Sequence, residues 1–370
     1  MSTTDNLTPV ELLSAMSVDI LADSIMRETP LFGVLAADAV MQPQKPVEWG
    51  ARVTEASTGG RTLTGALSND DAGKIVGASL SIPDIYIKHQ FQILKQQMVI
   101  ATNNGKISAV RSPMRQAMQD AMDAFARKIQ NVLYNADGTL DTTTNFGVFG
   151  LDAIVANPLD DSTATGTYAG VSRVTYPKWR SIRRRGSTPG TAEALTDMRM
   201  TQILRDRRVN GATYRPNNGS SLIIVTNDQI ERDVLRKIYG ALVDERGEYE
   251  GRVSKDVIPY VNYFVSGIPV ISDVDCPDNT MYFLNRRKLA IYGFDQSEAD
   301  VDNPNIEYVP LRYVDETGEE ALETTLWVRI ADVSDEHPDF LSFELTTRFQ
   351  LVAFDPLDAV SKMEDVAHTL

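Results

Sequence analysis

The sequence predicts an α+β fold, and three stretches indicate it. Residues 112–135 have the apolar spacing of one long amphipathic helix. Residues 47–92 contain two strand patterns separated by a stretch rich in turn-forming residues, which predicts a long hairpin. Between about residues 192 and 294, the order of elements is strand, helix, strand and strand, which is typical of a compact α/β region.

The composition limits the classes of function. The chain has 370 residues and a net charge of −15, and this length allows two or three domains with a substantial core. An acidic chain argues against a dedicated duplex-DNA binder, which normally carries a basic face. An apolar run of about 18 residues and a basic-then-apolar N-terminus are both missing, so we expect neither a membrane span nor a secretory signal. The single cysteine, Cys276, excludes an intrachain disulfide framework and a cysteine-based zinc site.

Residues 1–46 are interpreted as an arm. Thr8 to Glu11 form a capping box with proline at the first helical position, which predicts that a helix begins there. Apolar residues follow on one stripe, at Leu12, Leu13, Met16, Ile20 and Ile25. Residues 31–46 show no clear period. The apolar residues of the arm need a surface to cover them, and a neighbouring subunit is one source of that surface.

The hairpin is predicted from its two strand patterns. Val47 to Glu55 is typical of a strand, and residues 56–73 are rich in glycine, serine, threonine, asparagine and aspartate. The returning strand alternates cleanly, with inward positions at Ile85, Ile87, His89, Phe91 and Ile93. A two-stranded hairpin alone is marginal in water, so we expect it to lean on a surface outside itself. Its candidate subunit contacts are Trp49, Arg61 and Lys74.

The long helix is predicted by its cap and its apolar stripe. Ser112 offers a capping hydroxyl, and Pro113 occupies the first helical position. The stripe contains Met114, Met118, Ala121, Met122, Phe125, Ile129 and Leu133. The pattern ends between Asn135 and Gly138, so at about 1.5 Å per residue the helix is roughly 33 Å long. Such a helix is a packing element, and function has to come from what surrounds it.

The α/β region is predicted element by element. Thr191 is a candidate cap for a helix that ends at Asn210–Gly211. Leu222–Thr226 is typical of a short buried strand, and Asn227 then caps a second helix. Further strands are predicted at Ile268–Ser272, Met281–Leu284 and Leu289–Tyr292, and later in the chain at Leu326–Val333 and Phe343–Leu351. The chain is expected to close with an acidic, weakly helical tail.

Two segments of the chain carry opposite charge. Between Arg173 and Arg208 ten basic residues meet three acidic ones, whereas from Asp295 to Glu344 fifteen acidic residues meet two arginines. The three consecutive arginines at 183–185 can contact phosphate, but pairing with the acidic segment, within or between subunits, is the simpler use. The residues assigned to such subunit contacts are Arg183, Arg184, Arg185, Glu316, Glu319 and Glu320.

Candidate chemistry is sparse. The histidines, His89, His337 and His368, share no local motif with a nucleophile. Asp273, Asp275 and Asp278 can offer oxygen ligands to a divalent cation, but the glycine and glutamate positions of a calcium loop are not matched, and a turn is the simpler interpretation. We therefore expect no catalytic, cofactor-binding or metal residues. A metal-dependent hydrolase built on these three carboxylates stays open as a different class of function.

The run from Tyr263 to Tyr292 contains a Gly-x-Pro strand at 267–269, a Cys-Pro turn at 276–277 and a Phe-Leu-Asn strand at 283–285. In these motifs it resembles the major capsid proteins of tailed double-stranded DNA bacteriophages. The order of the other elements is also similar, including a Tyr-x-x-Trp segment at 176–179 and an Arg-x-Gln-Leu strand at 348–351. The similarity spans essentially the whole chain.

This resemblance implies the Hong Kong 97-type fold. Residues 1–46 would be the N-terminal arm and 47–92 the extended hairpin loop. Residues 93–191 would form the peripheral domain with the spine helix at 112–135, residues 192–294 the axial domain, and residues 295–370 a return to the peripheral domain followed by a C-terminal tail.

The function that the resemblance implies is structural. The subunit would assemble into pentamers and hexamers of an icosahedral shell around packaged DNA, without sequence-specific DNA binding, after synthesis in the host bacterial cytoplasm. Its partners would be copies of itself, a separate scaffolding protein, a portal and, as an optional partner, a decoration protein, with no membrane involved. An encapsulin-like compartment around a cargo enzyme shares the fold and is the alternative, although the long hairpin and arm favour the phage capsid.

Overall fold

Two six-stranded sheets form the framework of the chain, seen in a computed structural model. The structure describes residues 30–36, 38–42, 46–53, 74–94, 120–121, 124–125, 127–139, 146–155, 166–188, 190–209, 221–231, 261–265, 268–294, 306–313, 322–332 and 340–367. Helices and strands are both present in these ranges, and the predicted α+β class is confirmed.

The helices are short except for two. They are α1 (Pro30–Ala36), the long helix α2 with described turns at 120–121, 124–125 and 127–135, α3 (Leu151–Val155), α4 (Asp197–Val209), α5 (Asp228–Ile230) and α6 (Pro356–Ala359). A 3-10 turn spans Pro177–Trp179.

The strands number sixteen within the described ranges. They are β1 (Val40–Gln42), β2 (Val47–Arg52), β3 (Ile75–Leu80), β4 (Asp84–Leu94), β5 (Thr167–Tyr168), β6 (Val171–Ser172), β7 (Ile182–Arg184), β8 (Leu222–Thr226), β9 (Val261–Val265), β10 (Ile268–Ser272), β11 (Met281–Asn285), β12 (Leu289–Phe294), β13 (Ile306–Tyr313), β14 (Leu322–Asp332), β15 (Phe340–Ala353) and β16 (Val360–Met363).

The first sheet is built around β15. The order is β1-β12-β15-β14-β13, and β4 also pairs with β15. The 14 residues of β15 pair with β4 along 340–348, with β14 along 343–347 and with β12 along 349–353. Along 343–347 the strand is therefore paired on both edges, with β4 and with β14, which leaves few of its backbone groups unpaired.

The second sheet has the order β7-β16-β11-β8-β10-β9. Successive side chains of a strand point to opposite faces, so neighbouring apolar residues serve two cores. Ile223, Val225 and Tyr282 belong to the large core that also contains the buried stripe of α2. Ile224 and Phe283 belong to a second core, together with apolar residues of α4 and α5. The sheet is therefore covered by helices on both faces, which explains its nearly continuous apolar strands.

Two adjacent crossings join the sheets. The chain passes from β11 to β12 through residues 286–288, and from β15 to β16 through residues 354–359. The backbone N–H of Phe354 donates to the carbonyl of Lys288 at 2.9 Å, and Asn285 Nδ2 donates to Asp358 Oδ1 at 3.0 Å. These bonds tie one crossing to the other.

A buried arginine completes this junction. Arg207 of α4 is fully buried and donates to the carbonyls of Phe283 (3.2 Å) and Asp358 (2.6 Å) and to the hydroxyl of Ser361 (2.5 Å). Its guanidinium also lies 3.6 Å from the Asp358 carboxylate. Desolvation lowers the pKa of Arg207 to about 10, so the side chain remains charged at neutral pH.

Several predicted elements are confirmed in the described residues. The strands at 222–226, 268–272, 281–285 and 289–294 are present, and Asn227 accepts the backbone N–H of Ile230 at 2.9 Å as a helix cap. In α2 the stripe residues Ala121, Phe125, Ile129 and Leu133 are buried. Met114, Met118 and Met122 lie outside the described residues, as does the helix predicted after Thr8.

The returning strand of the hairpin was predicted wrongly. β2 pairs with β3, from Val47 opposite Leu80 to Arg52 opposite Ile75. The alternating strand at 84–94 pairs instead with β15 in the first sheet. Alternation identifies which residues share a face of a strand, but it does not identify the neighbouring strand. The hairpin is therefore shorter than the predicted range 47–92.

The ends of the chain also differ from expectation. The predicted arm includes α1, where Leu31 to Ala36 are buried in the subunit's own core, and β1, which pairs with β12. The expected helical tail contains β16, a buried strand between β7 and β11. The second sheet thus takes strands from outside 192–294 and leaves β12 to the first sheet.

The cap of α4 differs from the prediction as well. The helix begins at Asp197, and the hydroxyl of Thr196 accepts the backbone N–H of Arg199 at 3.3 Å. Thr191, the predicted cap, lies in the turn before the helix. Threonine is a preferred capping residue at either position. What identifies Thr196 as the cap is the start of the buried face of the helix, at Met200.

The junction around Arg207 gives a stability prediction. We expect Arg207→Ala to reduce the free energy of unfolding by about 3–5 kcal/mol, because it leaves the buried Asp358 carboxylate without its cation. The neighbouring Arg208→Ala is the matched control, since Arg208 is exposed and such substitutions change stability by about 0.5 kcal/mol or less. Urea unfolding of unassembled subunits measures both. Equal midpoints for the two variants would contradict the role of Arg207.

Candidate assembly surfaces and a buried acidic joint

The base of the hairpin has one buried and one exposed face. On β2 and β3, the residues Val47, Ala51, Ala78 and Leu80 are buried, whereas Ile75 on the other face is 70% exposed. The buried face packs in the large core of the subunit. The hairpin is therefore held by its own subunit at the base and offers its other face to the outside.

Two of the three predicted hairpin contacts face their own subunit. Trp49 Nε1 donates to the carbonyl of Phe354 at 3.3 Å, and the two rings meet edge to face at 5.6 Å. Lys74 Nζ donates to the Tyr176 hydroxyl at 2.8 Å. Trp49 is therefore an intrachain anchor of the hairpin. Arg61 lies outside the described residues.

The arginine triplet lies at the edge of the second sheet. Arg183 and Arg184 end β7, the outermost strand. Arg184 forms an ion pair with Asp206 of α4, and Arg185 Nε lies 2.8 Å from a carboxylate oxygen of Glu364. The side chains of Arg184 and Arg185 keep exposed fractions of 46% and 44%, so both are partly accessible at the surface of the subunit. Glu316, Glu319 and Glu320 lie outside the described residues.

Other arginines of the basic segment bind backbone carbonyls. Arg173 is buried and donates to the carbonyls of Ala153 (3.0 Å) and Ile154 (3.2 Å) at the end of α3. Arg180 Nε donates to the carbonyl of Arg173 at 2.6 Å. Arg199 donates to the Glu364 carbonyl at 3.1 Å. The sequence carries no signal that separates these structural arginines from the surface ones, because the distinction depends on distant carbonyls.

A buried carboxylate joins α2 to the second sheet. Asp273 follows β10 and is fully buried. It accepts hydrogen bonds from Gln130 Nε2 and the Tyr134 hydroxyl of α2, the latter at 2.8 Å, and from the backbone N–H of Asp275 at 3.0 Å. Desolvation by burial raises the pKa of Asp273 to about 6. Burial also raises the pKa of the Cys276 thiol and of the Tyr134 hydroxyl well above their usual values.

The candidate metal turn has the structure of an ordinary turn. Residues 273–280 connect β10 to β11, and Asp278 Oδ1 accepts from Asn227 Nδ2 at 3.2 Å. In the described part of the chain, no three His, Cys, Asp or Glu side chains are close enough together to hold a metal ion. His89 lies in β4, and His337 and His368 fall outside the described ranges.

No described helix has the length and apolar character needed to cross a membrane.

The Asp273 joint predicts a pH dependence. The unfolded chain loses this proton near its usual pKa of 3.8 and the folded chain near 6, so Asp273 favours folding below pH 4 and progressively less up to pH 6. In Asp273→Asn the amide can donate to Gln130 Oε1, a buried atom without a partner among the described residues.

Unfolding free energies of wild type and Asp273→Asn, measured at pH 4 and pH 7.5, test this prediction. From pH 4 to pH 7.5 the unfolding free energy of the wild type should fall by about 2 kcal/mol more than that of Asp273→Asn. Parallel profiles of the two proteins would show that Asp273 ionises normally in the folded chain.

Comparison with solved structures places the chain among viral shells. It is 56% identical to the protein in the capsid asymmetric unit of cyanophage A-1(L), with a TM-score of 0.77 over 98% of this chain and 99% of that chain. Protein-family models and curated proteins give no match.

More remote similarities include other shells. The capsid of a native GTA particle is 13% identical over 93% of this chain and 90% of that chain, with a TM-score of 0.46. The SrpI encapsulin complex from Synechococcus elongatus PCC 7942 is 10% identical over 94% and 92%, with a TM-score of 0.47. Neither score is high enough to carry an argument. The cyanophage similarity covers both chains almost completely at high identity, and the chain belongs to the major capsid proteins of tailed bacteriophages with the Hong Kong 97-type fold.

Proposed function

We propose that this chain is the major capsid protein of a tailed phage and assembles into pentamers and hexamers of an icosahedral shell around packaged DNA. The observation that carries the proposal is the 56% identity to a phage capsid subunit over 98% of the chain. The role is structural rather than catalytic. A separate scaffolding protein, a portal and a decoration protein are the partners we propose beyond copies of the chain itself.

The charge of the chain suits a container for DNA. At −15, the subunit repels a polyanion on average, and this limits adhesion of the genome to the wall. The basic segment at 173–208 is better used against carboxylates. We assign Arg183, Arg184 and Arg185 to contacts with Glu316, Glu319 and Glu320 of a neighbouring subunit, in addition to the ion pairs that Arg184 and Arg185 form within their own chain.

The hairpin supplies a second proposed contact. Its base is fixed by Trp49 and by the buried face of β2 and β3, whereas Ile75 is 70% exposed. A ribbon that is anchored at one end and exposes Ile75 beside polar residues on its outer face suits a contact with a neighbouring subunit. We include the tip, with Arg61, in this contact.

Assembly of the purified chain tests the proposed function. The protein is expressed with and without its scaffolding partner and examined by light scattering and negative-stain electron microscopy over a range of salt concentrations. We expect capsomers or closed shells. Shells that contain a protein cargo in place of DNA in infected cells would favour the encapsulin-like alternative. A monodisperse monomer under all conditions, with scaffold present, would contradict shell formation.

Charge reversal tests the proposed arginine contact. Replacing Arg183, Arg184 and Arg185 by glutamate also removes the intrachain ion pairs of Arg184 with Asp206 and of Arg185 with Glu364. Because exposed ion pairs contribute only about 0–1 kcal/mol each, the unfolding temperature of the subunit should fall only modestly. The same contact recurs throughout a closed shell, so the yield of shells should fall. Replacing Glu316, Glu319 and Glu320 by lysine in the same chain should restore part of the yield. Normal shells with poor DNA packaging would show that the triplet faces the genome instead.

A further inference from the structure

One face of α4 is exposed although two of its residues are large and apolar. Met198 and Val209 are 70% and 73% exposed. They are eleven residues apart, which places them on the same side of a helix with 3.6 residues per turn, and Arg205 lies between them on that side. We call Met198, Arg205, Arg208 and Val209 the outer stripe of α4. The opposite side of the helix is buried through Met200 and Ile203.

The outer stripe is basic, and its arginines have no acidic partner in the described part of the chain. Arg205 and Arg208 are both exposed, and within the described ranges neither forms an ion pair. The nearest acidic residue in sequence, Asp206, lies on another side of the helix and is paired with Arg184. A solvated helix face normally presents polar side chains, and two exposed apolar residues beside two exposed cations point to a partner that is acidic and partly apolar.

The turn between β10 and β11 has the complementary character. Val274 is 84% exposed, the highest value among the large apolar residues of the described chain. It is followed by Asp275 and Asp278, which are also exposed. Asp273 and Cys276 of the same connection are buried and anchor it to the subunit. Val274, Asp275 and Asp278 remain exposed on its outer side. We call residues 274–278 the acidic turn.

We propose that the outer stripe of α4 in one subunit binds the acidic turn of the next copy of this chain. Both surfaces are exposed in the single subunit, so they do not cover each other, and a second copy can bring them together. In this contact, apolar side chains meet apolar side chains, and arginines meet carboxylates. Because it joins two different surfaces, it is heterologous and can close into a ring. The proposal rests on the shell-forming function and names a contact within the capsomer.

Disulfide trapping tests the contact directly. The variant carries Met198→Cys and Val274→Cys, and it is oxidised after assembly. A disulfide requires the two Cα atoms to lie within about 7 Å. We expect a ladder of covalent oligomers that extends beyond dimers on a non-reducing gel, because each subunit contributes one cysteine to each of two neighbours. The control replaces Val274→Cys by Val174→Cys, since Val174 is also exposed, at 55%.

The trapping result separates this proposal from the shell function. Shells that form normally but give no ladder, or only dimers, would overturn the contact and leave the shell function intact. A ladder of equal length in the Val174→Cys control would show random collision and would also overturn it. Failure of the unmodified chain to form capsomers would contradict the function itself.

A charge exchange gives an independent readout. Arg205→Glu should lower the yield of shells by roughly tenfold, since each weak pair is repeated around every capsomer. Asp275→Arg in the same chain should restore most of it. Unfolding of the unassembled Arg205→Glu variant should match that of the wild type because Arg205 is exposed. Asp275→Arg also removes the attraction between Asp275 and Arg127 of the same chain, so a modest loss of stability is expected in the double variant. Normal shells from Arg205→Glu with reduced DNA content would assign the outer stripe to the genome and overturn the proposal.

Discussion

The fold depends on one constraint, the pairing of β15 along both edges followed at once by its crossing into the second sheet. Residues 340–353 hold β4, β14 and β12 in place, and seven residues later the same chain is β16 in the second sheet. The second crossing, from β11 to β12, lies beside it and is bonded to it through Phe354 and Lys288. The two sheets therefore cannot move independently without breaking buried hydrogen bonds, whose unpaired groups would be costly.

Buried polar groups fix the orientation of the helices on this frame. Arg207 attaches α4 to β11 and to the crossing at 354–359, and Asp273 attaches α2 to the end of β10. An unpaired buried charge at Arg207 or at Asp273 would be strongly unfavourable. Each helix is therefore held in the position in which these hydrogen bonds form. The rigid frame explains how exposed features such as the outer stripe, the acidic turn and the hairpin keep a defined geometry for assembly.

The sequence was sufficient to predict those elements whose signal lies in a few neighbouring residues. The buried strand at 222–226, its Asn227 cap and the stripe of α2 follow from apolar runs, capping chemistry and helical spacing. The pairing of β2 with β3, the strand at 360–363 and the buried α1 depend on contacts with distant segments, and short patterns do not encode them. The same holds for the site. Consecutive arginines indicated a charged surface, but the burial of Arg173 and Arg207 and the exposure of Met198 and Val274 emerge only from the packing.

Hydrogen exchange on free capsomers and on complete shells tests most directly whether this frame exists before assembly. The account predicts that the amides of β8, β11, β15 and β16 exchange slowly and equally in both forms, because their bonds lie within one subunit. Protection gained on assembly should be confined to the hairpin, the N-terminal arm and the exposed contact surfaces. Fast exchange of β11 and β15 in capsomers, followed by strong protection in shells, would contradict the account, since the frame would then depend on the closed shell.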